Sequence, residues 1–287
     1  MSTAEPAPLG ALAATPTRAR PWDPFDRWDR WTSARIDAPQ LFTFRRVFAA
    51  IFLLYDVLDI AYRGTVSAMS WGSVLEGAYP TGLLQLQLVC VAAEVVLLLG
   101  RPREAVQIAC AAEFLARWRI GDKYFGLNDF RFVALAALLL VFLPSGGRSA
   151  PRWLVDVWRW QTAWVYIATG GLKANDAFLS GGHLYVRHNY LRLRGWPYPW
   201  PISDLLARHW ANRGFAVFTV VAEIGVGVLL LVPWRRARLW ALVLAIAIHG
   251  GAAVLVDVWF FGALMITLVW CVSRQPVCSR EAGRIGP

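Results

Sequence analysis

Mostly apolar runs, several of them separated by short polar turns that carry arginine, recur along this chain from residue 47 to residue 272. Seven of them, at 47–62, 82–100, 130–144, 153–172, 215–233, 239–256 and 259–272, approach the roughly 20 residues a helix needs to cross a hydrocarbon core of about 30 Å. The shorter ones imply tilt or local thinning of the bilayer. An eighth run, 104–115, carries Glu104, Gln107 and Glu113, and spans only if neighbouring helices shield those groups. The pattern predicts an all-α fold, a polytopic transmembrane helical bundle of about eight membrane helices within 41–273.

Ahead of the bundle, 22–40 reads as an amphipathic interfacial segment. In WDPFDRWDRWTSARI, Phe25, Trp28 and Trp31 recur every third residue with charges between them. That suits a helix lying in the headgroup plane, and it equally suits a solvated helix packed on its own bundle. Residues 1–21 are rich in Pro and Ala and never continuously apolar, so they are expected to form a disordered tail without the apolar core of a secretory signal. Residues 274–287 are expected to form a cytoplasmic tail.

Composition sharpens the class. Of 287 residues, 57% are hydrophobic, 16 are tryptophan and only 17% are charged, with a mean hydropathy of +0.44; these values indicate an integral membrane protein. Cytoplasmic flanks of membrane helices hold an excess of basic residues, so arginine placement predicts orientation. Seven arginines precede residue 47, and the turns RPRE, GGRSAPR and WRRAR hold two, two and three. With eight helices these all fall on one side, together with the C-terminal tail; RWRIGDK is a mild violation on the other. Both termini are therefore expected in the cytoplasm, the long segment 173–213 outside, and the chain in the plasma membrane. The net charge of +10 then follows from topology: the expected partner is the lipid bilayer, and no nucleic acid is needed to explain the basicity.

Several chemistries leave no trace. Cys90, Cys110, Cys271 and Cys278 form no CxxC pair, and His183 and His188 stand five apart rather than four, so no metal is expected. Walker loop, Rossmann fingerprint, GxSxG elbow and a strong internal repeat are all missing. What remains is a set of ionisable residues inside apolar runs: Asp56, Asp59, Glu94, Glu113, Glu223 and His249. Each costs at least ~2.5 kcal/mol at membrane depth, and such groups face a bundle interior or a water-filled cavity. Asp56 and Asp59 share a helix face, with an interfacial reading beside the functional one. Glu94 and Glu113 read either as functional groups or as structural glue paired with an arginine such as Arg117. A satisfied core histidine is the alternative for His249. Lysine adds one more candidate. Of 29 basic residues only Lys123 and Lys173 are lysines, and Lys173 ends the apolar run VYIATGGLKAND. Arginine does not deprotonate in proteins, whereas a partly desolvated lysine serves as a base; the other reading is a lysine that snorkels to the outer headgroups.

RWQTAWVYIATGGLKANDAFLSGG resembles the signature of the HTTM family, the membrane module shared with the vitamin K-dependent gamma-glutamyl carboxylases. The matching positions are Arg159, Gln161, Tyr166, Gly171, Lys173, Phe178 and Gly181 or Gly182. FTVVAEIGVGVLLLVPWRRARLWALVLAIAIHGGAAVLVDVWFFG resembles the family's later helix pair, with its glutamate, proline, basic turn and intramembrane histidine, and FTFRRVFAAIF resembles the start of its first helix. The resemblance runs from about Phe42 to Ser273. It implies that Lys173 is a catalytic base with Glu223 and His249 as polar partners, that Tyr166, Arg159 and Gln161 bind a cofactor, and that the cofactor is a reduced quinone of the vitamin K type. A secreted peptide is the implied partner. The chain departs from the carboxylases at Phe178, where the family has tryptophan, and at Asn128–Asp129, where asparagine is followed by histidine. It also ends soon after its last helix, where carboxylases continue into a large lumenal domain. Full gamma-carboxylation is therefore not expected.

Two classes of function follow: a quinone-dependent or peptide-modifying enzyme with a lysine base, or a non-catalytic membrane protein supporting maturation or export of a secreted peptide. A transporter ranks third, for want of a broken-helix pair. Lys173, Glu223 and His249 are expected to meet at one outward cavity, and the aromatic, proline-rich segment 191–210 is expected to lie at the outer interface, either as a lid over a pocket or as an ordinary connecting loop.

Overall fold

The computed structural model of the chain describes residues 24–61, 81–100, 104–125, 129–145, 149–193, 195, 202–256 and 259–274. In chain order the elements are α1 (Pro24–Ser33), β1 (Arg35–Asp37), α2 (Pro39–Ala61), α3 (Thr81–Leu98), α4 (Glu104–Phe125), α5 (Asp129–Val141), β2 (Ser149–Pro151), α6 (Arg152–Lys173), α7 (Asp176–Leu179), α8 (Gly182–Leu193), α9 (Ile202–Leu206), α10 (His209–Leu231), α11 (Arg235–Val256) and α12 (Trp259–Ser273). The tail 1–21, Arg117, Asn128 and most of 194–201 and 274–287 lie outside the described residues or side chains.

The fold is mostly helical, with one correction to the all-α expectation: β1 pairs antiparallel with β2, Ile36 opposite Ala150. A three-residue strand is too short to leave an alternating pattern in the sequence. Among the described residues, two helices, His209–Leu231 and Arg235–Val254, are long and apolar enough to cross a membrane; Leu88–Leu98, Phe132–Val141 and Phe261–Ser273 are apolar but shorter.

Proline, glycine and two polar side chains set the helix ends. Pro39 opens α2, where its missing N–H costs nothing. Val232, extended before Pro233, closes α10. Gly100, at φ +77°, closes α3 with its N–H on the Leu97 carbonyl at 3.1 Å. At the end of α5, Gln107 donates to the Leu140 and Leu143 carbonyls at 2.8 and 2.9 Å, and Arg45 donates to the Pro144 carbonyl at 3.2 Å. The shielding that the 104–115 run requires is thus partly supplied: Gln107 caps a neighbouring helix.

Among the described residues, eight helices of 13 to 23 residues pack in a closed circuit, α6–α10–α11–α12–α2–α3–α4–α5 and back to α6. An aromatic stack fills its interior: Phe44 lies edge-on to Trp158 at 5.0 Å, and Phe48 and Phe52 meet Phe114 at 5.3 and 4.5 Å. The charged side chains of Asp56, Glu94, Glu113, Glu223 and Arg238 are buried, whereas Val89, Leu135, Trp164, Val221, Val243 and Ile246 stand exposed. α1 docks on α6 through Trp31, whose Nε1 donates to Asp156 at 3.0 Å, and leaves Trp28 exposed.

Candidate functional site

The site is built on the closest helix pair, α6 and α10, and glycine makes that closeness possible. A Cβ on Gly170 would stand 2.7 Å from Ile224 Cγ1 and 3.2 Å from Glu223 Cβ; one on Gly227 would stand 2.6 Å from the Ala163 carbonyl oxygen and from Ile167 Cγ1. Gly227 lies one turn beyond Glu223, and Lys173 three residues beyond Gly170, so both glycines share the faces that carry the charged residues. The result is a contact of 2.5 Å between Lys173 Nζ and Glu223 Oε1. The two ends differ in surroundings: the Lys173 side chain is 36% exposed and that of Glu223 6%. Glu223 Oε2 is buried with no hydrogen-bond partner among the described residues. Lys173 ends α6, where a cation also suits the negative end of the helix dipole, and its Nζ stands 5.8 Å from the centre of the Phe178 ring.

His249 comes from α11. Its Nε2 lies 2.7 Å from the Tyr166 hydroxyl, two turns back along α6 from Lys173. Gly262 of α12 lets the helices close up behind it, since a Cβ there would meet the His249 carbonyl oxygen at 3.1 Å.

A cap of short helices covers the outer end of this arrangement. Asn175 opens α7 by accepting the Phe178 N–H at 3.0 Å. Gly181, at φ +75°, turns the chain into α8 with the backbone of Asn212 and Arg213 only 2.5 Å from where a Cβ would be, so no other residue fits there. Asn212 in turn donates to the Leu206 and Arg208 carbonyls at 2.6 and 3.2 Å, which carries α10 back to His209, six residues before the apolar run begins.

Between cap and bundle lies a cavity of about 890 Å³. Lys173, Glu223 and His249 all line it, with His183 and Arg187 from α8; Phe178, Phe215, Phe218, Ile248 and Phe261 are among its apolar walls. Ala247 and Phe218 are exposed as well as cavity-lining, so the cavity reaches the apolar outer face of α10 and α11. Such a chamber, apolar with a few convergent polar groups, suits a small lipid-soluble ligand.

The remaining expected site residues are not brought to it. Tyr166 is 1% exposed and stands behind His249 rather than on the cavity wall. Arg159 and Gln161 lie about 18–21 Å along α6 from Lys173 at 1.5 Å per residue, and Arg159 bonds Asp156 at 2.9 Å. Conversely, the sequence does not mark His183 and Arg187 as site residues; only once 182–193 is helical does their four-residue spacing place both on one face of α8.

A second cluster lies apart. Asp56 of α2, Glu94 of α3 and Glu113 of α4 are all buried, with one oxygen of each within 4.8 Å of the others. Histidine and cysteine spacing in the sequence gives no metal site, whereas these three carboxylates come together only through the packing of three helices. Three oxygens in this arrangement suit a hard cation or protons held in common. The Asp59 side chain is outside the described ones. No protein-family model, no curated protein and no solved structure matches this chain.

Proposed function

We propose that this chain is a multi-pass protein of the plasma membrane, similar to the HTTM module, whose eight-helix circuit holds a lipid-soluble ligand of the reduced-quinone type, and that Lys173 acts on it as a base. Both termini are cytoplasmic in this reading and the α7–α9 cap lies outside. The observation that carries it is the Lys173–Glu223 contact at 2.5 Å on the wall of a largely apolar cavity. In a cavity from which a bound ligand has excluded water, passing the ammonium proton to Glu223 leaves two neutral groups and gives Lys173 the free lone pair a base needs. His249 supplies a further polar group to the same ligand. The buried charges and exposed apolar side chains of the circuit support a lipid surround. A peptide-modifying reaction is compatible with the same base, with the cap as the surface nearest a secreted peptide.

The alternative, a non-catalytic protein supporting maturation or export of a secreted peptide, is favoured by one feature: the closed ion pair also serves as a tie between α6 and α10. Oxidation of reduced vitamin K1 by dissolved oxygen, which takes up the two electrons, in the presence of the purified protein in nanodiscs and followed by absorbance, separates the two. Wild type is expected to accelerate it over empty discs and Lys173→Arg to fall to background while remaining folded, because arginine keeps the pair but accepts no proton. No acceleration by wild type would sink the enzyme reading and leave the structural tie.

A further inference from the structure

His249 has two ring nitrogens, and only one of them is spoken for. Nε2 meets the Tyr166 hydroxyl at 2.7 Å, in a contact buried on both sides. Nδ1 has no hydrogen bond among the described residues, and the ring itself lines the cavity. Which nitrogen carries the proton is set by the hydrogen bond the other makes. A phenolic O–H is a good donor and its oxygen, conjugated with the ring, a poor acceptor, while a neutral imidazole nitrogen without hydrogen is a good acceptor. Charging the imidazole instead would place a cation among Phe261, at 6.0 Å, and Ile248, on the same wall as Lys173.

We infer that Tyr166 donates its hydroxyl hydrogen to His249 Nε2 and thereby fixes the neutral tautomer with hydrogen on Nδ1, so that His249 is a hydrogen-bond donor to the cavity and the ligand atom seated against it is an acceptor oxygen, a carbonyl or an oxyanion. Tyr166 is then a positioning residue acting through His249, not a group that touches the ligand. This rests on the cavity being a ligand site, but the tautomer claim stands or falls without any ligand. It also divides the labour at the site: Glu223 Oε2, buried and unpartnered among the described residues, can only accept while ionised, whereas His249 supplies the opposite polarity.

The test is nitrogen NMR on full-length protein with ¹⁵N-labelled histidine in micelles, the His249 signals being assigned by their loss in His249→Asn. Wild type is expected to show the Nδ1–H tautomer at His249, and Tyr166→Phe a mixture of the two or the Nε2–H form. An Nε2–H tautomer in wild type would overturn the inference, as would an unchanged tautomer in Tyr166→Phe. Should that variant fail to fold, the wild-type spectrum alone decides. A second arm tests the acceptor: 2-tridecanone, a methyl ketone with an apolar tail, is expected to move the His249 Nδ1–H proton resonance, and n-tridecane to leave it in place. Equal responses to both would contradict an acceptor-reading His249, and a shift confined to the ketone supports it whatever reaction the site performs.

Discussion

Two glycines in neighbouring helices should respond to alanine in opposite directions. At Gly227 an added Cβ stands 2.6 Å from the Ala163 carbonyl oxygen and from Ile167 Cγ1, whereas ordinary contact begins at 3.4 Å. The overlap is 3.4 − 2.6 = 0.8 Å against backbone, which cannot rotate away, so α10 must move from α6 by about that amount. Overpacking of this kind costs about 1–3 kcal/mol, offset by up to about 1 kcal/mol of helix propensity. At Gly251, also helical, the added Cβ meets nothing within 4 Å, so only the propensity gain remains. Gly227→Ala is therefore expected to be less stable than Gly251→Ala by about 1–3 kcal/mol. At about 2–4 °C per kcal/mol for a chain of this size, the midpoints of thermal unfolding in one detergent should differ by about 2–12 °C. The separation also reaches the site: a shift of 0.8 Å added to the 2.5 Å Lys173–Glu223 contact breaks its short geometry. Equal midpoints, or Gly227→Ala the more stable, would show that the α6–α10 contact is not as close as described.

The ion pair is expected to give a coupling energy of about 1–2 kcal/mol in a double-mutant cycle of Lys173→Met and Glu223→Gln, between the values for exposed and buried pairs because only the carboxylate end is buried; a coupling of zero would leave the two residues as mere neighbours. His188, buried in the cap beside Ser203, is held below the ordinary imidazole value of 6.5 by burial and then by the Arg192 charge. Its folded state takes up a proton less readily than its unfolded state, so the stability it contributes is present above pH 6.5 and is lost as pH falls from there through the lower folded value. His188→Gln should flatten the unfolding midpoint between pH 7 and 5, and an unchanged slope would remove His188 as its source. Reporter fusions at residue 200 and at the C-terminus should report opposite sides of the membrane; signals on the same side would break the proposed topology.

Helix existence was legible because apolar runs bounded by arginine, proline and glycine leave few alternatives. Helix starts were less so: α2 begins at Pro39 rather than 47 and α10 at His209 rather than 215, because their first turns mix polar and apolar residues and are held by tertiary contacts, such as burial of Leu41 and Phe44 in the core and Asn212 on the Leu206 and Arg208 carbonyls. Lys173, Glu223 and His249 stood out by cost, since each is a polar group in an apolar run. Cost does not say which groups meet. Asp56, Glu94 and Glu113 were equally conspicuous, yet their convergence from three helices is a property of packing, and Asp56 had been grouped with Asp59 by spacing. Arg159 and Gln161 show the reverse case, residues close to Lys173 in sequence that a rising helix carries about 18–21 Å from it. The glycines that set the α6–α10 distance carry no side chain, so nothing in composition marks Gly170 and Gly227 apart from Gly250 and Gly251.

The central claim is that the cavity beside Lys173 and Glu223 holds a lipid-soluble ligand. Gly251 lines that cavity with open space where its Cβ would be, so Gly251→Leu adds apolar volume at the chamber wall without a clash at Cβ. The most direct measurement is mass spectrometry of small molecules extracted from purified wild type and Gly251→Leu, both prepared in the same detergent and checked for equal unfolding midpoints. An isoprenoid quinone or related amphiphile is expected at near one per chain from wild type and strongly depleted from the variant; equal amounts from both proteins, or none from either, would show that the cavity holds no such ligand.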